Sequence, residues 1–133
     1  MKGYFDPIND KCGEIVEFIM NSPDMPEQDD ILFKIRLSVE EVVENIVRYA
    51  YANGDGFLEV YTEKDDAGML TITLKDAGKP FDTLAKEDPD ITLSAEEREI
   101  GGLGIFITKQ MMDFVQYKYE DGCNILTMKK ECK

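Results

Sequence analysis

From Asp29 to about Tyr51 the apolar residues Ile31, Ile35, Val39, Val42, Val43, Ile46 and Ala50 recur at spacings of three and four, the pattern of one long amphipathic helix. Such a helix needs an apolar surface to lie on, and the residues after it provide one. Asn53-Gly54-Asp55-Gly56 breaks the helical pattern. Two partly alternating runs follow, Phe57 to Glu63 and Met69 to Lys75, around Asp65-Asp66-Ala67-Gly68; this predicts an antiparallel hairpin. Phe114 to Tyr119 and Asn124 to Lys130 predict a second hairpin around Asp121-Gly122. Upstream, Asp10 to Asn21 predicts a short helix with Ile15, Phe18 and Ile19 on one face, ended by Ser22-Pro23. Ile105 to Met112 continues as a helix behind a run of glycines. The expected order is helix, helix, strand, strand, excursion, helix, strand, strand. Helices gathered before and within a hairpin-connected sheet predict an α+β fold of two layers, with the helices on one face of a mostly antiparallel sheet. Tyr61, Thr71, Thr73, Gln116 and Lys118 alternate with apolar neighbours, which places them on a wetter outer face open to a partner.

The 133 residues and 43% hydrophobic content suit one core, hence a single domain over residues 1–133. A net charge of -13 repels nucleic acid and anionic lipid, both of which are bound through accumulated Lys and Arg. No apolar run approaches the roughly 20 residues of a membrane helix, and Met1-Lys2-Gly3-Tyr4-Phe5 lacks the hydrophobic run of a secretory leader. The expectation is a soluble cytoplasmic chain. Cys12, Cys123 and Cys132 are odd in number and lack the short paired spacing of a zinc site, so they read as reduced structural thiols. The chain has no histidine, which excludes a Ser-His-Asp triad, a Cys-His pair and a phosphohistidine on this chain. Proton transfer falls to carboxylates.

Three constellations carry candidate chemistry. On the long helix, Glu41 and Asn45 lie about 40° apart at 100° per residue, on a strip with Ser38 and Arg48 that borders the apolar face without entering it. An acid there suits a general base, and an amide oxygen one turn later suits a hard cation such as Mg²⁺; a solvated face with Glu44 and Arg48 paired at i,i+4 fits the same residues. Asp76-Ala77-Gly78 closes the second strand. Its carboxylate can accept from an exocyclic amine and its glycine can let a flat ring approach the backbone, although an ordinary turn uses the same residues. Gly101-Gly102-Leu103-Gly104 opens a helix, where backbone amides favour phosphate or simply form a hinge. It is neither a Walker A loop nor a dinucleotide fingerprint. Between the last two lie residues 82–99, acidic, interrupted by Pro89 and weakly periodic, as expected of a movable excursion.

In this order and spacing the three constellations resemble the GHKL ATPase and kinase superfamily, with its Bergerat nucleotide-binding fold. Within it, the chain is similar to the small bacterial anti-sigma factor serine kinases, over roughly residues 29–131. Val39 to Tyr51 matches the N box, Asp76 to Asp82 the first glycine box and Ile100 to Phe106 the second. The resemblance implies a two-layer α/β sandwich with a mostly antiparallel mixed sheet, binding ATP or ADP with Mg²⁺. It implies that Glu41 is the general base for a target serine or threonine hydroxyl and that Asn45 holds the Mg²⁺ on the ATP phosphates. Asp76 would recognise the adenine amino group with Gly78 beneath the ring, Gly102, Leu103 and Gly104 would offer amides to the phosphates, and Thr127 would stand at the adenine-side hydroxyl. Residues 81–99 would be the ATP lid.

The spore-type kinases carry an arginine just before the second glycine box, where this chain has Ile100; Arg98, Lys79 and Lys86 are the nearby cations. Two functions follow from the resemblance. One is an anti-sigma serine/threonine protein kinase acting on a small antagonist protein and thereby on a sigma factor, with a homodimer allowed. The other, favoured by Ile100, is an ATP- or ADP-responsive binding module without chemistry.

Overall fold

A computed structural model describes residues 1–51, 56–80 and 108–132. Helix α1 (Cys12–Met20) and helix α2 (Asp29–Tyr49) lie on one face of a sheet of β1 (Lys2–Phe5), β2 (Leu58–Lys64), β3 (Met69–Asp76), β4 (Phe114–Glu120) and β5 (Cys123–Glu131). The spatial order is β1-β2-β3-β5-β4. Every pairing is antiparallel, so among the described residues the sheet contains no parallel pair. Residues 108–111 are helical. Of the expected 105–112 helix, Met112 is a buried bend residue just past the helical end; residues 105–107, the glycine run and the 81–99 lid lie outside the described residues, as do 52–55 and 133.

Strand alternation turns one face of the sheet inward. Across neighbouring strands Val60, Leu74, Leu126 and Tyr117 stand side by side, as do Thr62, Ile72, Met128 and Val115. They meet Ile15, Val16 and Ile19 of α1 and Ile35, Val39, Val42 and Val43 of α2 in one core. Leu58, Val60, Leu70 and Ile72 have no exposed surface, and full burial of such side chains contributes about 1.5–3 kcal/mol each. Tyr61, Thr73, Thr127 and Gln116 face one another on the opposite side.

Both hairpins close as their sequences demand. Asp65 Oδ1 accepts from the Ala67 and Met69 amides, while Gly68 takes the positive φ of 87° that glycine adopts without strain. Asp121 and Gly122, with φ of 54° and 79°, form the two-residue Asp-Gly turn whose twist matches the flanking strands.

Strand β1 is the element the sequence reading lacks. Lys2–Phe5 is an edge strand held by the register of β2. A side chain at Gly3 would strike the Phe18 ring of α1, and Phe5 meets that ring edge-on at 5.3 Å. Helix α2 has no side-chain N-cap at Gln28; Asp29 and Asp30 in its first turn and Arg48 in its last complement the helix dipole instead. No helix among the described residues is long and apolar enough to cross a membrane.

Candidate nucleotide site

The end of β3 is docked on the end of α2. Asp76 is the last residue of β3; beyond it the Ala77 amide donates to the Tyr51 hydroxyl at 2.9 Å and the Lys79 amide to the Ala50 carbonyl at 2.8 Å. Between those two bonds Gly78 passes so close that a Cβ there would collide with the Ala50 carbonyl. The same Tyr51 hydroxyl donates to the Phe57 carbonyl at 2.7 Å, which ties the start of β2 into the junction. Burial holds that phenol above its usual range, against the two backbone bonds.

Asp76 faces the helices, because it falls on the same alternation as Leu70, Ile72 and Leu74, and only 3% of it is exposed. Its Oδ1 accepts from the Gly78 amide and from Asn124 Nδ2, each at 2.9 Å. Its Oδ2 has no hydrogen bond among the described residues. Burial pushes the carboxyl above the usual aspartate range, with Asn124 and then the Gly78 amide pulling it back. A buried acceptor oxygen without a partner is uncommon in a folded protein and is a feature a ligand amine completes.

On α2 the structure draws Asn45 further in than the helix strip implied: it is 5% exposed and Ser38 is fully buried, its hydroxyl satisfied by the Lys34 carbonyl at 3.0 Å. Glu41 stays half-buried. Burial, then the charge of Glu44, push its carboxyl up; the Asn45 amide and Arg48 pull it down. Glu44 and Arg48 do pair at 2.7 Å on the solvent side, so the solvated face and the Glu41–Asn45 strip coexist. By the 1.5 Å rise per residue, Asn45 stands about 7.5 Å along the helix axis from Ala50, on which Gly78 rests.

Asp76 and Gly78 therefore sit at one junction between α2 and the end of β3, with Asn45 and then, one turn further along α2, Glu41 leading away from it. Thr127 does not. It pairs with Thr73 and Gln116, three residues and so an odd step along β5 from Asn124, which turns its hydroxyl to the face away from the helices. Asn124 occupies the helix side, directly opposite Asp76. It is 6% exposed, and no motif in the sequence marks it. Gly102, Leu103 and Gly104 lie outside the described residues.

The residues fit a purine nucleotide: a carboxylate oxygen without a partner among the described residues, a glycine that leaves no room for a side chain, and a buried carboxamide on the adjacent helix. No group of three or more His, Cys, Asp or Glu among the described residues could hold a metal ion, so a cation here would be shared with ligand phosphates, the usual arrangement for Mg²⁺. Cys12, Cys123 and Cys132 are free thiols.

Comparison with known proteins places the chain in a family of nucleotide-binding domains. Residues 22–130 match the model of the histidine kinase-like ATPase domain. The serine-protein kinase RsbW of Listeria monocytogenes is 30% identical over 101 residues, covering 71% of this chain and 63% of the relative. The anti-sigma F factor of Clostridium botulinum is 28% identical over 104 residues, 76% of this chain and 72% of the relative. The chain thus matches just under two thirds of the RsbW length. Among solved structures, the histidine kinase domain of the Erythrobacter litoralis EL346 blue-light activated kinase aligns over 95% of this chain and 61% of its own, with TM-score 0.57 and 17% identity. The mycobacterial sensor histidine kinase MprB aligns over 96% and 97%, with TM-score 0.57 and 17% identity. Those two likenesses concern the fold.

Proposed function

Since the chain belongs to the histidine kinase-like ATPase domain family, we propose that it binds ATP and ADP at the α2–β3 junction and acts as an anti-sigma serine/threonine protein kinase on a small antagonist protein. The observation that carries the nucleotide reading is the Oδ2 of buried Asp76, without a partner among the described residues, beside Gly78. Oδ2 accepts from the purine amino group, and the bare Gly78 backbone lets the ring lie flat. Asn45 takes a share of a Mg²⁺ ion, which when bound neutralises phosphate charge. Gly102, Leu103 and Gly104 supply backbone amides to the phosphates.

Glu41 is the proposed base. A carboxyl raised by partial burial accepts a proton near neutral pH more readily than an exposed one. It takes the proton of the target serine or threonine hydroxyl as that oxygen bonds to the γ-phosphorus, and the bond to the ADP oxygen breaks with its electron pair. The names of the relatives, serine-protein kinase and anti-sigma F factor, support an antagonist protein and a sigma factor as partners.

Ile100, without the cationic help that phosphoryl transfer draws on, favours a second reading: a module that changes its protein contacts with ATP or ADP and transfers nothing. Calorimetric titration with ADP and ATP, with and without Mg²⁺, tests the shared part; absence of binding to both nucleotides overturns both readings. Transfer of labelled γ-phosphate to a purified antagonist protein, lost in Glu41→Gln, separates the first from the second.

A further inference from the structure

Asn124 is the most connected buried side chain of the junction, and nothing in the nucleotide reading so far uses it. Its Nδ2 reaches the Asp76 Oδ1 at 2.9 Å, the Lys79 carbonyl at 2.8 Å and, more distantly, the Gly78 carbonyl at 3.4 Å. Its Oδ1 accepts from the Tyr117 hydroxyl of β4. Three acceptors around one atom and a hydroxyl donor at the other fix which end of the amide is nitrogen. The contacts also span the pocket floor: β4 through Tyr117, β3 through Asp76, and the loop after β3 through its two carbonyls.

We infer that Asn124 is the positioning residue of the base pocket, an amide clamp that occupies Asp76 Oδ1, leaves Oδ2 as the one acceptor for a ligand amine, and holds the Gly78–Lys79 backbone at the height where a purine can lie on it. This rests on the reading of Asp76 as the purine-amine acceptor. An amide performs both tasks because it has two N–H donors on one nitrogen, one for the carboxylate and one for the loop carbonyl; a hydroxyl has a single donor. The clamp also supports ionisation: its bond is the larger of the two influences that oppose burial of the Asp76 charge. The titratable groups on the surrounding elements are Glu41 on α2, its carboxyl also raised by burial, Tyr51 after α2, Tyr117 on β4, Cys123 on β5, and Lys75 and Lys79 on β3 and its loop. All of these groups are common to wild type and variants, so the ratio of their affinities at each pH reads the Asp76–Asn124 pair.

The test is ADP affinity, measured by calorimetry at several pH values from about 5.5 to 8 for wild type, Asn124→Ala and Asn124→Asp, with Asp76→Asn as the control. Ratios of variant to wild-type Kd cancel the titration of the ADP phosphates. Removing the donor in Asn124→Ala raises the Asp76 carboxyl further, so its affinity deficit grows as pH falls. In Asn124→Asp two carboxylates face each other across β3 and β5 and repel when both are charged. Acidification returns one proton to the new carboxyl, which the Lys79 and Gly78 carbonyls favour as its acceptors, and the deficit shrinks. The two slopes are opposite in sign. At pH 8 the Asn124→Asp deficit is about tenfold or more, the scale of a bond to a charged acceptor.

Deficits that are independent of pH in both folded variants, or ratios near one throughout, overturn the inference while leaving the nucleotide reading intact, provided Asp76→Asn still weakens binding by about tenfold or more. If Asn124→Asp fails to fold, the slope of Asn124→Ala alone decides. No ADP binding by the wild type overturns both readings.

Discussion

Replacing Asp76 with asparagine changes one atom of the pocket and almost nothing of its frame. The amide oxygen can take the place of Oδ1 and keep the Gly78 and Asn124 donors at their 2.9 Å positions, while an NH₂ group stands where the unpartnered Oδ2 stood. An acceptor becomes a donor facing the ligand amine. A hydrogen bond to a charged group contributes about 1.5–3 kcal/mol, so ADP binding should weaken by roughly 10- to 150-fold, and further where the two donors repel.

Stability should move the other way. The folded Asp76 carboxyl is raised, burial outweighing its two bonds. Its neutral form therefore favours the folded state, with that contribution fully present below the unfolded value of about 3.9 and lost as pH rises through the folded value. At neutral pH the wild type carries the full burden of the buried charge, and Asp76→Asn relieves it. Calorimetric titration with ADP and thermal melts of the apo protein at pH 4 and pH 7 check both halves. The expected result is a large affinity loss with a melting temperature level or raised at pH 7, and a variant advantage that shrinks toward pH 4. An ADP affinity within about threefold of wild type in a folded variant would refute the assignment of Oδ2. A melting temperature lowered by several degrees at pH 7 would instead make Asp76 a structural tie.

Glu41→Gln should bind ADP like the wild type while phosphate transfer to a protein substrate falls by about 10²- to 10⁴-fold; equal transfer rates would remove Glu41 as the base. Gly78→Ala must push its methyl into the Ala50 carbonyl, so denaturant unfolding should show a loss of about 1–3 kcal/mol together with weaker ADP binding. Thr127→Ala, on the outer face opposite Thr73 and Gln116, should leave the calorimetric ADP affinity unchanged and stability within about 0.5 kcal/mol.

Helix α2 is legible because its apolar spacing repeats over six turns, and the hairpins are legible because Gly68 and Asp121-Gly122 sit where their turns need them. Strand β1 is not. Lys-Gly-Tyr-Phe offers four residues with no clear alternation, and what makes it a strand is the free edge of β2 beside it. The strip of Glu41 and Asn45 follows from helical geometry alone, but the burial of Asn45 is set by tertiary packing, which helical spacing does not carry. Asp76 and Gly78 announce themselves as a strand end. Their partner Asn124 does not, since it lies 48 residues away and becomes a neighbour only because β5, not β4, pairs with β3. Thr127 illustrates the same limit from the other side: a motif can indicate the strand, yet an odd step along it reverses the face.

That strand order also sets a timetable for the chain's own synthesis. With β5 inserted between β3 and β4, a nascent chain that has already produced both earlier strands cannot join them. β3 waits with an open edge, and the Asp76 pocket has no floor until the segment carrying Asn124 has left the ribosome. Such an edge is a template for unintended pairing, and its closure is a long-range contact whose formation is slow relative to local hairpins. If nucleotide binds where proposed, it is captured only after nearly the whole described sheet exists, and stalled or truncated chains lacking β5 should arrive without ligand and prone to self-association.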